Sequence, residues 1–508
     1  MTTPVQAAIA PDPRLPSVRR LREAYRAVCR GLPWLDMAVW PDDPPAFPRP
    51  QPEVPGAGVR AITLEPALRG RLASLRAEED VRLLRYAPSA GPLEAVLADF
   101  AAELAAARLP LVVLHTDVSW DRLDACAARH PALAVIIESG PVKILYHLEA
   151  IEALLRRRPN VRLCLANFCN WLGVERLVER GLGERLLFGS HRPRFNPHAA
   201  MGPIVMSRLD WPAKCGLAGD NLRRLLGEPV RLMPEVPFAP PPPFIVDAHT
   251  HFGGNGRFPV PDERFAPADW LPALDAAALA TAWICPMAAL RDSSVSARAL
   301  FHPFREGSAG RFRYFEVFHP RADAGEQIRR LDEAAADPAC CGVKIHPTEH
   351  QTPADDPAYG PVFAWARERG RPILTHSWDL SATNPAQACS FPSKFRRHLA
   401  AYPGVRLVLG HAGGRPGSLA AVAALCREFP AVRVDLAGDY YDSGLVEELA
   451  GRLGPERVLF GSDLNWIDPR ANLAFVLASE LSDEAAALIL GGNARALHAE
   501  PGVPATPG

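Results

Sequence analysis

From residue 80 onward the chain alternates short, almost uninterrupted apolar runs with longer stretches rich in Ala, Leu and Arg. In the amino-terminal half the runs fall at 81–84, 109–115, 133–137, 161–165 and 185–188. Runs of this length separated by helical stretches predict parallel α/β architecture, because strands covered by helices on both faces lose the polar half of their alternation. Pro234 and the run from Pro240 to Pro243 then break the pattern, which makes 228–243 the best candidate for a linker. After it the alternation resumes, with strand candidates at 244–248, 281–285, 313–318, 342–346, 372–376, 405–410, 432–436 and 457–461. Eight βα units in about 250 residues predict a (β/α)8 TIM barrel. Upstream of residue 80, a helix is expected over 17–30 as a docking or packing element, and the proline density of 40–55 excludes regular helix or central strand.

The two halves repeat one another. Arg457-Val458-Leu459-Phe460-Gly461-Ser462-Asp463 matches Arg185-Leu186-Leu187-Phe188-Gly189-Ser190-His191, and Asn493-Ala494-Arg495 matches Asn221-Leu222-Arg223, both at an offset of 272 residues. On that alignment His411 falls opposite Ser139 and Asp463 opposite His191. The His249/His251 pair meets only Ala38 and Trp40. Asp36 to Val81 is much shorter than Asp247 to Val343, so the amino half is expected to lack roughly two βα units. The expected organisation is an extension over 1–35, a truncated, degenerate barrel-like domain over 36–227 without metal ligands, the linker, a catalytic barrel over 244–498 and a tail over 499–508.

Composition narrows the function classes. A net charge of -1 over 508 residues supplies no basic field for nucleic acid or a membrane surface. No run reaches the length of a membrane span, and the amino end does not read as an export signal. Ten cysteines without CxxC spacing suit a reducing, cytoplasmic setting. Only four of the 56 basic residues are lysines, so Lys344, inside a strand candidate, stands out.

The chemistry collects where strands end. His249 and His251 sit two apart after Phe244-Ile245-Val246-Asp247, the spacing at which strand side chains share a face and both imidazoles reach one ion. His346, His376, His411 and Asp463 follow other apolar runs, so one cluster at one mouth is expected. Trp378, Tyr440 and Trp466 lie in the loops beyond those ends and are read as pocket-lining residues.

Taken together, Asp247-Ala248-His249-Thr250-His251, Gly342-Val343-Lys344-Ile345-His346-Pro347, Ile373-Leu374-Thr375-His376, Gly410-His411-Ala412-Gly413-Gly414 and Phe460-Gly461-Ser462-Asp463 resemble the amidohydrolase superfamily. The closer resemblance is to its branch of lactone hydrolases and nonoxidative decarboxylases. That resemblance implies one divalent metal, zinc first and manganese as the alternative, on His249, His251, His376 and Asp463. It implies Asp463 as the group that takes a proton from a metal-activated water, and His411 as a catalytic partner. Lys344 and His346 are implied as substrate contacts, with a carboxylated Lys344 bridging two metals as the less favoured arrangement.

The leading expectation is a metal-dependent hydrolase of a small organic acid, lactone or amide. A decarboxylase of a carboxylated aromatic or muconate-type acid is the alternative, and a scaffold or regulatory pseudoenzyme is the non-enzymatic one. The expected partner is a small-molecule substrate, with either a homodimer or intramolecular pairing of the two halves.

Overall fold

Eight parallel strands of the carboxy-terminal half lie side by side in chain order: Ile245–Phe252, Leu279–Pro286, Phe312–Val317, Cys340–Ile345, Ile373–Thr375, Leu407–Leu409, Arg433–Asp435 and Val458–Leu459. In the computed structural model, which describes residues 14–47, 56–140, 144–254, 267–380 and 384–498, the last strand returns to the first. Ala248 N–H donates to Phe460 O and Asp463 N–H to His249 O, each at 2.9 Å. The result is a TIM barrel, as the count of apolar runs predicts. Sequence readings on 1–13, 48–55 and 499–508 lie outside the described residues.

The barrel interior is a small apolar cluster of its own. Val246, Trp283, Phe315, Cys341, Leu374, Val408 and Leu459 fill it, closed from below by Ala494 and Leu497 of the last helix, Asn493–His498. The alternate strand residues Ile284, Val343, Ile373, Leu407, Val434 and Val458 face outward to the helices and join the main core. This division is the two-residue period of a strand applied to a sheet buried on both sides.

In the amino-terminal half a six-stranded parallel sheet runs Arg60–Thr63, Val81–Arg85, Leu111–Leu114, Val135–Glu138, Val161–Cys164 and Leu186–Leu187. Leu35–Asp36 pairs in parallel with Ala57–Gly58, and its continuation meets the other edge, where Met37 N–H donates to Phe188 O at 3.1 Å and His191 N–H to Ala38 O at 2.8 Å. The expected deficit of two βα units is therefore too large. Among the described residues one strand path, Ala57–Gly58 continued by Arg60–Thr63, lies between Asp36 and Val81, where the barrel has two. The sequence hides it because its residues are mostly small and only partly covered, none of them buried, and Gly58 and Arg60 interrupt the apolar run.

The two halves meet through reciprocal contacts. Asn196 N–H donates to Tyr441 O at 2.8 Å, and Asp468 N–H donates to Cys169 O at 2.7 Å. Phe195 bridges Asp442 and Asn170 bridges Ile467, both antiparallel. Each contact maps onto its mate by the same 272-residue shift, which is the signature of an isologous interface. Helices Pro197–Val205 and Pro469–Leu477 pack across it, and Arg470 makes a double hydrogen bond with Glu175 of the amino half while also bonding Asp468. The first helix, Leu15–Gly31, clamps both sides: Tyr25 pairs with His198 at 2.9 Å, and Arg22 donates to Asp483 at 2.8 Å.

Candidate metal centre

At the carboxyl end of the barrel strands, three imidazoles are oriented by what their Nδ1 atoms touch. His249 Nδ1 is tied to the Asp435 carboxylate at 2.8 Å, His251 Nδ1 to Cys285 O at 3.0 Å and His411 Nδ1 to Ala437 O at 3.1 Å. An acceptor at Nδ1 fixes the proton there, so each Nε2 carries the lone pair. These nitrogens gather around one carboxylate: Asp463 Oδ1 lies 3.2 Å from His251 Nε2 and 3.9 Å from His249 Nε2. His249, His411 and Asp463 each offer a ligand atom within 4.8 Å of the others.

The backbone is bent to achieve this. The strand Ile245–Phe252 slips register against its neighbour between Asp247 and Thr250, the kind of irregularity that re-aims side chains. His411 and Asp463 both take left-handed backbone conformations, with φ of 60° and 70°, which cost a non-glycine residue about 1–2 kcal/mol each. Gly410 is required by close approach, since a Cβ there would stand 2.9 Å from His249 Cε1 and 2.7 Å from Thr375 O. Asp247 acts as the strut, accepting from Ser462 N–H at 3.1 Å and Ser462 Oγ at 2.5 Å.

Charge and burial pull in opposite directions here. Burial by itself raises the Asp463 carboxyl, but His411, His251 and His249 outweigh it and hold the group well below the usual carboxylate range. Burial lowers His411 to about 4 and, with Lys344 adding to the effect, depresses His249 as well. Neutral imidazoles around an ionised carboxylate are a donor set for a divalent cation of the zinc or manganese type. Asp463 Oδ1 is buried yet accepts no well-aligned hydrogen bond, and a cation is the partner that such an oxygen lacks. The residues present therefore fit a divalent metal.

The other sequence candidates are placed around this core. Lys344 is fully buried, and its ammonium donates to His249 Nε2 at 2.8 Å. It touches a candidate ligand itself, with Asp435 and Asp463 among the charges it faces. His376 lies close, its ring 4.8 Å from that of His411, but its Nε2 is engaged by Gln387 Oε1 at 2.8 Å. His346 stacks on His376 at 4.2 Å, Trp378 stacks on His376 at 5.7 Å, and Trp466 stacks on His251 at 5.6 Å. Tyr440 is buried at the same rim. Sequence reading missed Asp435, Gln387 and Arg415, whose guanidinium sits over the Trp378 and Tyr440 rings.

The corresponding place in the amino half is built differently. The strut recurs, with Ser190 N–H and Oγ donating to Asp36 at 3.1 and 2.6 Å, and Ser139 Oγ donates to Ala166 O at 2.7 Å where His411 bonds Ala437. Ala38 replaces His249 and Glu138 replaces Gly410. The Glu138 carboxylate accepts from Trp40 Nε1 at 2.9 Å, pairs with His191 Nε2 at 2.8 Å, and has Arg85 Nε at 3.8 Å. Burial raises this carboxyl, but His191 and Arg85 prevail and hold it below its ordinary value. An internal ion cluster fills the position.

A family model described as amidohydrolase matches residues 246–498. None of the curated proteins compared with the chain matches it. Among solved structures, 2,6-dihydroxybenzoate decarboxylase from Rhizobium is 16% identical, covering 50% of this chain and 98% of its own, with a TM-score of 0.40. A 5-carboxyvanillate decarboxylase from Sphingomonas paucimobilis is 14% identical over 51% of this chain and 99% of its own, with a TM-score of 0.40. A dihydroxybenzoic acid decarboxylase from Polaromonas, solved with manganese and an inhibitor, is 16% identical over 50% of this chain and 97% of its own, again with a TM-score of 0.40.

Proposed function

The carboxy-terminal barrel belongs to the amidohydrolase family, and from that premise we propose that the protein is a metal-dependent hydrolase acting on a C–O or C–N bond of a small organic acid, lactone or amide. The observation that carries this reading is the buried Asp463 carboxylate, with an Oδ1 lacking a hydrogen bond, beside imidazoles whose Nδ1 atoms are already committed. His249, His251, His411 and Asp463 would hold the ion, with His376 joining through Nδ1 while Nε2 stays on Gln387. Zinc is the proposed metal and manganese the alternative, since the donors suit both. Such an ion polarises a carbonyl and brings the pKa of a coordinated water to about 7.

The side chains supply the remaining steps. Asp463 takes the proton from the attacking water and returns it to the leaving group. His411 is neutral at pH 7 because burial depresses it to about 4, so its Nε2 is available to the ion while Nδ1–H donates to Ala437 O and holds the ring in place. Lys344 neutralises charge developing beside His249. His346, Trp378, Tyr440 and Trp466 wall the slot and exclude water.

A second reading, nonoxidative decarboxylation, is favoured by one observation. Trp378 is nearly parallel to His376, at 6°, and Trp466 lies at 24° to His251, flat surfaces that suit a planar aromatic acid. The deciding experiment measures metal content of the purified protein and turnover on panels of lactones, amides and aromatic acids. Stoichiometric metal, lost in His249→Ala and Asp463→Ala together with hydrolysis, is expected. Carbon dioxide release without hydrolysis would replace the first reading with the second, and a well-folded protein that takes up no metal would remove both.

The amino half is read as a degenerate, metal-free copy serving as a built-in partner for the barrel in a cytoplasmic enzyme. The shared 272-residue offset, the repeated strut and the reciprocal contacts support this reading.

A further inference from the structure

At the rim of the barrel a cation is held in place without a counter-ion in contact. Arg415 places its guanidinium 5.4 Å from the centre of the Trp378 ring and 5.7 Å from that of Tyr440. Two aromatic faces fix a guanidinium by cation–π attraction and leave its N–H edge available for an in-plane acceptor. Among the described residues no carboxylate lies within ion-pairing distance of it. Asp442 acts on it electrostatically from beyond ion-pairing distance and is shared with Arg194. Across the rim Arg194 of the amino half is taken up by Asp43 at 3.1 Å.

A second, independent observation marks the same spot. Tyr440 is 8% exposed, and its hydroxyl is buried without a hydrogen-bond partner, a cost of about 1–3 kcal/mol unless a partner arrives. The wall is continuous with the metal centre. Trp378 stands between Arg415 and the imidazoles, 5.7 Å from His376 and 5.5 Å from His411. It packs so closely on the chain at Gly414 that a Cβ there would lie 2.7 Å from the indole, which places the next residue, Arg415, on the ring. A substrate lying along Trp378 with its reacting group at the metal therefore extends its far end toward Arg415 and Tyr440.

We propose that Arg415 and Tyr440 form a carboxylate-binding subsite, and that the substrate is an organic acid whose anionic group lies at the end remote from the scissile bond. The guanidinium donates in-plane N–H bonds to the carboxylate and the Tyr440 hydroxyl donates a third. This rests on the metal-enzyme reading above and narrows its substrate class. Neutral lactones and amides of the same shape bind less well because the charge on Arg415 then stays unmet.

The test uses the full-length, manganese-loaded protein and matched probes. The three benzenedicarboxylates are titrated calorimetrically against their monoamides, each pair sharing one carboxylate for the metal and differing only in charge at the other end. At least one dicarboxylate is expected to bind tenfold or more tightly than its monoamide. Arg415→Gln should bring that pair within twofold, Arg415→Lys should keep part of the preference, and Tyr440→Phe should weaken the dicarboxylate several-fold with the monoamide unchanged. Metal stoichiometry and melting temperature report on folding of each variant. Survival of the preference in Arg415→Gln, or its absence from the parent protein for all three isomers, overturns the proposal. Loss of all turnover with the preference intact would count against the enzymatic reading and leave the subsite standing.

Discussion

Asp435 is the side chain through which the centre is tuned. Its Oδ2 holds His249 Nδ1 at 2.8 Å, and its Oδ1 accepts from His411 N–H at 2.8 Å and Ala437 N–H at 3.0 Å. Asp435→Asn keeps the shape but removes the charge that fixes the His249 tautomer. Metal affinity should drop by about 10- to 100-fold, read by competition with a chromophoric chelator; an unchanged affinity would show that Asp435 does not orient the ligand. Asp442 provides a pH test at the rim. Burial raises it to about 6, against the opposing pull of Arg194 and Arg415, with Asp43 adding to the rise. The folded chain therefore keeps this proton at pH values where the unfolded chain has lost it. That contribution is whole below the ordinary carboxylate value and gone once pH passes about 6. Asp442→Asn should raise the melting temperature at about pH 7.5, and the gain should vanish near pH 4. At this scale the sequence was informative where residue type and position coincide. The His249/His251 pair, and His411 among glycines, were visible because few other roles explain them. Asp435 looks like any acid at a strand end, and Gln387 reaches His376 from the short 3-10 helix Pro385–Ser390, whose placement no local pattern dictates.

Among the elements, the pair formed by Gly173–Glu179 and Pro469–Leu477 carries a buried ionic contact between the two halves. Every residue of Pro469–Leu477 is buried, and within it Arg470 bonds Glu175 across the interface with Asp468 beside it. A charge removed from water on this scale is tolerated only while its partners remain. Glu175→Gln should cost about 3 kcal/mol in urea unfolding, because Asp468 still partly compensates Arg470. A variant that removes the whole charged group, Glu175→Leu with Arg470→Met and Asp468→Asn, should recover much of that loss, because no buried charge is left without its partner. Additive losses would show that the three groups act independently. The strands were legible as apolar runs because both faces of these sheets are covered. The missed strand path from Ala57 to Thr63 shows the limit of that rule: it is paired on both sides but only partly covered, so small residues suffice there, and proline on its approach masks it.

The offset of 272 residues seen in the sequence recurs between matching contacts of the two halves. Asn221 and Asn493 both use the side-chain amide to tie two carbonyls, Asn221 those of Gly183 and Leu186, Asn493 those of Pro455 and Val458. Their contact surface could not be read from sequence, since buried interface helices look like any other core helix. Residues 228–508 produced alone would uncover Tyr441 and the helix Pro469–Leu477, and the fragment is expected to aggregate or lose activity. A soluble, fully active fragment would show that the barrel needs no companion. The reciprocal hydrogen bonds at Asn196 and Asp468 also bear on behaviour in dilute solution. Two separate subunits joined by such contacts come apart as concentration falls, whereas here one covalent chain holds both members at a fixed effective concentration. Specific activity should accordingly stay constant on serial dilution.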